Sequence, residues 1–217
     1  MDIEEVRQAL VRTDQTLSTA HFGLNILKSG PPEQKSAGLR NVLVFGRSVT
    51  FVIQNLKTIV GNDVFDTWYR PHQDTMKANP LMRYFVDARN NLEKQGRLDV
   101  GQSITVKSFD SDIFSKLEKP PFSSTGFFIG DQTGGSGWLL DVGTGEPIKY
   151  YVLIPSSLVE AKQMFHSMPD GVPEDLKQLS TAELCEIYLA ALGEIVESAK
   201  KEFLPATKPR PHLRLVK

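Results

Sequence analysis

The chain has 217 residues, a formal net charge of −1 and a hydrophobic fraction of 40%. This length accommodates one or two domains, and the nearly balanced charge excludes a global field that would attract nucleic acid. The single cysteine, Cys185, excludes an internal disulfide and a cysteine-based zinc site. No apolar run is long enough to span a bilayer, and the acidic, amphipathic N-terminus is unlike a signal peptide, so we expect a cytoplasmic protein without membrane contact.

The first predicted element is a helix over residues 2–28. Its apolar positions step by three and four residues without a break, which predicts a narrow seam along one helix face. These positions are Ile3, Val6, Leu10, Thr13, Leu17, Ala20, Leu24 and Leu27. The segment 29–32, Ser-Gly-Pro-Pro, then ends this helix and starts the next.

A second helix is predicted over residues 33–60, and its apolar residues cover most of its circumference. A helix that is apolar on most sides is buried on most sides. We expect the first helix to cover one side, and a later helix or a second subunit to cover the other. Arg40 and Arg47 are exceptions in this apolar helix, and we expect each to pair with a carboxylate.

Two shorter helices are predicted over residues 64–77 and 80–95. Asn79 and Pro80 form a helix start, and Gly96 forms a helix stop. The first of these helices carries the aromatic residues Trp68 and Tyr69 beside Arg70 and His72. This cluster either stacks on nucleic-acid bases or closes one end of a helical bundle, and we favour the second interpretation.

The polar flank of the helix over 80–95 is the candidate site. Arg89, Asn90, Glu93 and Lys94 follow one another within two turns, beside a face that must be buried. Arg89 and Glu93 have the spacing of a local ion pair, which is the structural interpretation. The functional interpretation is a binding or catalytic surface formed by these residues with the aromatic cluster.

Residues 89–96, RNNLEKQG, resemble the signature region of the HEPN superfamily. That family consists of small helical bundles that are often dimeric, and many are metal-independent ribonucleases of toxin and defence systems. Its motif is Arg, a polar residue, and His after a gap of four to six residues. Arg89 and Asn90 match, but the gap leads to Lys94, Gln95 or Gly96, so the histidine is absent. The resemblance implies a homodimer, and His72 or Lys94 would have to replace the missing base.

Beyond residue 97 the sequence pattern indicates strands. Residues 103–109 alternate, and 126–130, 137–142 and 148–154 are short aromatic and β-branched runs. The glycine-rich segments 131–137 and 143–147 predict hairpin turns. The first of these lacks the Lys-Ser/Thr of a phosphate-binding loop. These features predict a small antiparallel β-meander.

The C-terminal third contains two predicted helices. Ser157 with Glu160, and Ser180 with Glu183, have the spacing of capping boxes. They predict a short helix to about Ser167 and a longer helix to about Phe203. The basic segment 205–217 is interpreted as a loose tail, with weak contact to RNA or another acidic surface as the second interpretation.

These elements predict an α+β fold in which four N-terminal helices form an antiparallel helical bundle, followed by a β-meander and two C-terminal helices. The expected divisions are a HEPN-like bundle over 1–97, the meander over 98–155, and helices over 156–204 that complete one globule. We predict a non-catalytic interaction protein that forms homodimers and binds RNA or a protein, in a defence or toxin–antitoxin setting. The alternative is a metal-independent ribonuclease. No metal or cofactor is expected.

Overall fold

The structure is a computed structural model that describes residues 1–106, 115, 117–131, 135–143, 145–155 and 159–205. Its fold begins with an antiparallel pair of helices. Helix α1 spans Ile3–Ser29 and helix α2 spans Pro32–Val52. The Asp2 side chain caps α1 by accepting a hydrogen bond from the backbone N–H of Glu4 at 2.8 Å. Most of the apolar seam predicted for α1 is buried, since Val6, Leu10 and Ala20 are at most 2% exposed, whereas Ile3 at its start is 43% exposed.

The long second helix changes its winding near residue 53. A 3₁₀ turn over Ile53–Asn55 separates α2 from the short helix α3 (Leu56–Val60). Within this turn, the Gln54 side chain donates to the backbone carbonyl of Thr50 at 2.6 Å. Side-chain bonds of this kind compete with the regular helical ladder and favour local tightening.

Two further helices complete the N-terminal bundle. Helix α4 spans Asn62–Ala78 and helix α5 spans Pro80–Gln95. The Asn79 side chain accepts from the backbone N–H groups of Leu81 and Met82, and Gly96 ends α5 in the left-handed conformation with φ 67°. The predicted start and stop of this helix are therefore confirmed.

The C-terminal helices are α6 (Glu174–Lys177) and α7 (Thr181–Phe203). The capping box predicted for α7 is present, because Ser180 and Glu183 bond to each other's backbone N–H groups. Helix α7 contacts α1, α2 and α5 and completes the core of the bundle. The sequence predicted that a later helix or a second subunit covers the other side of α2. In the structure α7 of the same chain packs there.

The strands form two separate antiparallel sheets. Strands β2 (Ser124–Phe128), β3 (Ser136–Leu140) and β4 (Ile148–Val152) make the predicted meander. Strands β1 (Val100–Val106) and β5 (Val159–Phe165) pair with each other, with Val100 opposite Phe165. The α+β class predicted from the sequence is confirmed. Residues 107–109 of the first predicted strand, and parts of both predicted hairpin turns, lie outside the described residues.

The short helix predicted after Ser157 is wrong. Residues 159–165 form β5, and the register with β1 runs through all seven positions from Val106↔Val159 to Val100↔Phe165. Phe165, at the end of the strand, is buried in the core of the helical bundle. Non-local strand pairing and burial therefore override the local capping pattern here. Ser157 itself lies outside the described residues.

The main core runs through the helices and reaches the two-stranded sheet at Phe165 of β5, with Val100 of β1 packed against it. Phe165 belongs to the same buried cluster as Leu43, Phe85 and Leu189. Leu140 and Val152 of the meander are also buried, but they lie outside this cluster. The contact through β5 therefore joins the two-stranded sheet to the bundle. The predicted divisions at residues 97, 155 and 204 stay predictions.

Candidate functional site

The Arg89 side chain is held on the surface of α5 by its neighbours. Its Nη1 lies 2.7 Å from Glu93 Oε2 and also donates to Asn90 Oδ1 at 3.3 Å. The side chain is 24% exposed, and its Nε is buried without an acceptor among the described residues. The local ion pair predicted from the spacing is therefore present. Lys94, the next candidate on this helix, is exposed.

The aromatic cluster of α4 packs against the C-terminal part of α7. His72 Nε2 lies 3.1 Å from Ser198 Oγ, and Trp68 Nε1 donates to the same hydroxyl at 3.1 Å. The Trp68 ring also packs edge-on against Phe203, with centroids 5.1 Å apart. These contacts close one end of the bundle, which is the interpretation favoured from the sequence. Arg70 is exposed beside the cluster.

His72 and Arg89 have different partners in the structure. The charge of Arg89 acts on Tyr188 of α7, whereas His72 contacts Ser198 of the same helix. Ten residues separate these two positions, which corresponds to about 15 Å along a helix axis. The candidate base is bonded to α7 and the candidate cation to its neighbours on α5, and their grouping into one site stays a prediction.

The structure contains a cavity of about 350 Å³ between α2, α4, α5 and α7. Tyr69 is the only candidate from the sequence that lines it. The lining residues are Arg47, Thr50, Gln54, Tyr69, Gln73, Met76, Lys77, Met82, Arg83, Val86, Asp87, Tyr188 and Leu192. Pockets of this size and character commonly bind small molecules.

Arg47 is the charged residue that α2 contributes to this cavity. Its Nη1 donates to Thr50 Oγ1 at 2.7 Å, and its guanidinium carbon lies 4.5 Å from the Phe51 ring centroid. Arg40 donates instead to the backbone carbonyl of Gly96 at 3.0 Å. The predicted carboxylate partners are wrong for both arginines within the part of the chain that the structure describes. An acceptor oxygen of the protein takes the place of the carboxylate in each case.

Two buried tyrosines face the positive charge of Arg47. Burial raises the pKa of Tyr69 and of Tyr188, and the nearby Arg47 guanidinium opposes this rise at both hydroxyls. Both phenols are therefore neutral at pH 7. The Tyr69 hydroxyl lies 3.5 Å from the backbone carbonyl of Thr50. The site can thus present neutral hydroxyl groups beside a fixed cation.

The described residues contain no group of three or more His, Cys, Asp or Glu side chains placed to hold a metal ion. Cys185 is fully buried in α7, and burial raises the pKa of its thiol. Among the helices of the described part, none has the length and apolarity needed to cross a membrane.

These features define the class of the molecule as an α+β protein whose helical bundle contains a cavity with one arginine of α2 in its wall. The chain belongs to the family described as bacteriophage lambda protein ea47, which matches residues 25–169. A stretch of 71 residues is 38% identical to "Protein ea47" of Escherichia phage lambda, covering 32% of this chain and 17% of that protein. No solved structure matches the chain. The family match includes α2, α4 and α5 but ends before α7.

Proposed function

We propose that this chain is a non-catalytic binding protein, built on a HEPN-like bundle that dimerises and binds a partner in a defence or toxin–antitoxin setting. The observation that supports this proposal is the placement of Arg89. Its guanidinium is engaged by Glu93 at 2.7 Å, and His72 is engaged by Ser198 at 3.1 Å on another part of the bundle. The two side chains are used in local structural contacts.

The alternative function, a metal-independent ribonuclease, requires a different arrangement. Such an enzyme places a base near the attacking 2′-hydroxyl and a cation near the phosphoryl group. Arg89 would stabilise the transition state, Asn90 would orient the phosphate, and His72 or Lys94 would be the base. Because His72 is bonded to Ser198 and Arg89 to Glu93, a mechanism that uses both must release these contacts or take the base from a second copy.

The first prediction is that the purified protein does not cleave RNA. Mixed single-stranded and structured RNA would be incubated with the wild type in excess EDTA, beside Arg89→Ala and the surface control Arg7→Ala. A positioned acid–base residue contributes about 10²–10⁴-fold to the rate, and the partners of Arg89 in the structure are Glu93 and Asn90. We expect no cleavage from any variant. Arg89→Ala should lose about 1 kcal/mol or less of stability, because its ion pair with Glu93 is partly exposed to solvent.

Cleavage by the wild type and Arg7→Ala that disappears in Arg89→Ala would contradict this proposal and establish the ribonuclease. In that case, mixing Arg89→Ala with His72→Ala would test a site shared between two chains. Restored cleavage in the mixture would show that each copy supplies one of the two residues.

The second prediction concerns the dimer. The HEPN resemblance supports it, as do two large apolar side chains exposed on the bundle, Phe22 at 61% and Phe51 at 47%. Light scattering should give twice the chain mass of 24.2 kDa. Phe22→Ser or Phe51→Ser should shift the protein towards monomer, whereas Phe122→Ser, on an exposed residue before the meander, should not. A strict monomer for the wild type would contradict the dimer.

A further inference from the structure

The cavity between α2, α4, α5 and α7 is graded from an apolar floor to a polar mouth. Its buried floor includes Met82, Tyr188 and Leu192, which are at most 7% exposed. Gln54, Lys77, Arg83 and Asp87 are exposed and form the mouth. A ligand that fits this gradient has an apolar body and one polar end.

The polar end would meet Arg47, which lies between floor and mouth. A guanidinium has five N–H donors in a planar fork, and the Thr50 hydroxyl accepts from Nη1 at 2.7 Å. No carboxylate among the described residues forms an ion pair with this side chain, whose contacts are Thr50 and Phe51. Stacking over the Phe51 ring at 4.5 Å fixes the plane of the group. Arg47 is therefore a cation positioned in the cavity wall with donors that a ligand can use.

The charges at the mouth are mainly positive. Lys77 and Arg83 contribute two cations, and Asp87 is the single carboxylate of the lining. With Arg47, the lining carries three positive groups against one negative group. This arrangement favours the entry of anions and disfavours cations of similar size.

From the cavity, the Arg47 guanidinium and the cationic mouth, we propose that this site binds a small amphipathic oxyanion. Its carboxylate or phosphate head would accept hydrogen bonds from the Arg47 guanidinium, which matches both headgroups in a bidentate geometry. Its apolar body would pack against Met82, Val86 and Leu192. The volume of about 350 Å³ is within the range of small-ligand pockets. This site does not use Arg89. Phe51 stacks on Arg47 and is also exposed on the bundle, so Phe22→Ser is the variant that tests the dimer without changing this site.

The test measures binding of matched ligands by isothermal titration calorimetry. Octanoate and octyl phosphate present the two anionic heads on one apolar body. Octylammonium reverses the charge, and acetate or inorganic phosphate removes the body. We expect saturable binding of octanoate, octyl phosphate or both, and none of the other three. Whichever of the two binds more tightly identifies the headgroup.

The variants test the role of Arg47. Arg47→Gln should weaken binding of the anionic ligand about tenfold or more, because it removes a charged hydrogen-bond donor. Arg40→Gln is the matched control, since Arg40 lies on the same helix but bonds to the Gly96 carbonyl. It should bind like the wild type. Val86→Trp, which fills the cavity, should abolish binding while the far-UV circular dichroism stays unchanged.

Three results would overturn the site. They are the absence of saturable binding by both anionic ligands, equal binding of octylammonium, and equal affinity in wild type and Arg47→Gln. If Arg47→Gln fails to fold, the titrations of the wild type with the five ligands still test whether the cavity binds an amphipathic anion.

Discussion

Replacement of Phe85 by alanine is expected to lower the free energy of unfolding by about 3–5 kcal/mol, the usual cost of removing a buried aromatic ring. Phe85 is 1% exposed. Its ring is parallel to Tyr188, with centroids 4.2 Å apart, and edge-on to Phe165 at 5.8 Å. It therefore joins α5 to α7 and to strand β5. Its loss leaves a void where these three elements meet.

Denaturant unfolding followed by circular dichroism would measure this effect. Phe122→Ala is the matched control because it removes the same ring from a residue that is 67% exposed. A surface substitution of this kind usually changes stability by about 0.5 kcal/mol or less. Similar losses in the two variants would show that Phe85 does not hold the three elements together.

The sequence predicted the helices well because their ends are determined locally. Asn79, Pro80 and Gly96 delimit α5 through their own backbone and side-chain chemistry. The capping box of α7 likewise involves residues three positions apart. Such signals need no knowledge of the rest of the fold. The meander was predictable for a related reason, since its strands are consecutive and joined by short turns.

Strand β5 could not be predicted in this way because its partner is distant in sequence. Val100 pairs with Phe165 across the whole meander, and burial of Phe165 against α5 stabilises the pair. The capping pattern of Ser157 and Glu160 is short, and it occurs by chance in segments with other structures. Local chemistry alone therefore predicted a helix where the tertiary structure has a strand.

The cavity was beyond the reach of the sequence because four helices contribute to it. Tyr188 and Arg47 come from distant segments, and neither is part of a motif. The available signal was Arg47 itself, a cation within an apolar helix. Because Arg47 was interpreted as half of an ion pair, it was not included among the candidate site residues. For His72 and Arg89 the sequence could not show whether they lie close together, and in the structure His72 bonds to Ser198 while Arg89 pairs with Glu93.

The crossing of α1 and α2 leads to the last prediction. Gly38 of α2 lies directly against the backbone of α1 around Gly23 and Leu27. A Cβ atom on Gly38 would lie 2.7 Å from the Gly23 carbonyl oxygen and 2.9 Å from the Leu27 amide nitrogen. A Cβ on Gly23 would lie 2.7 Å from the Gly38 carbonyl oxygen. These neighbours are backbone atoms, so the helices would have to move apart.

We expect Gly38→Ala to lower the free energy of unfolding by about 2 kcal/mol. Overpacking costs about 1–3 kcal/mol, and a clash with backbone atoms belongs at the upper end of this range. The higher helix propensity of alanine offsets about 1 kcal/mol of that cost. Separation of α1 from α2 would also loosen the packing of Leu24, Leu39 and Val42, which are buried near the crossing. The measurement is the denaturant midpoint at unchanged slope, so that a change in stability is distinguished from a change in the unfolded state.

Gly193→Ala is the matched control, and it should change stability in the opposite direction. Gly193 lies within α7, and the nearest atom to its added Cβ would be Leu17 Cδ2 at 3.9 Å, an ordinary van der Waals contact. Without a clash, the propensity gain remains and should stabilise the protein by about 0.5–1 kcal/mol. Opposite signs for the two glycine substitutions would show that α1 and α2 touch through their backbones. A stabilising Gly38→Ala would mean that the helices are farther apart.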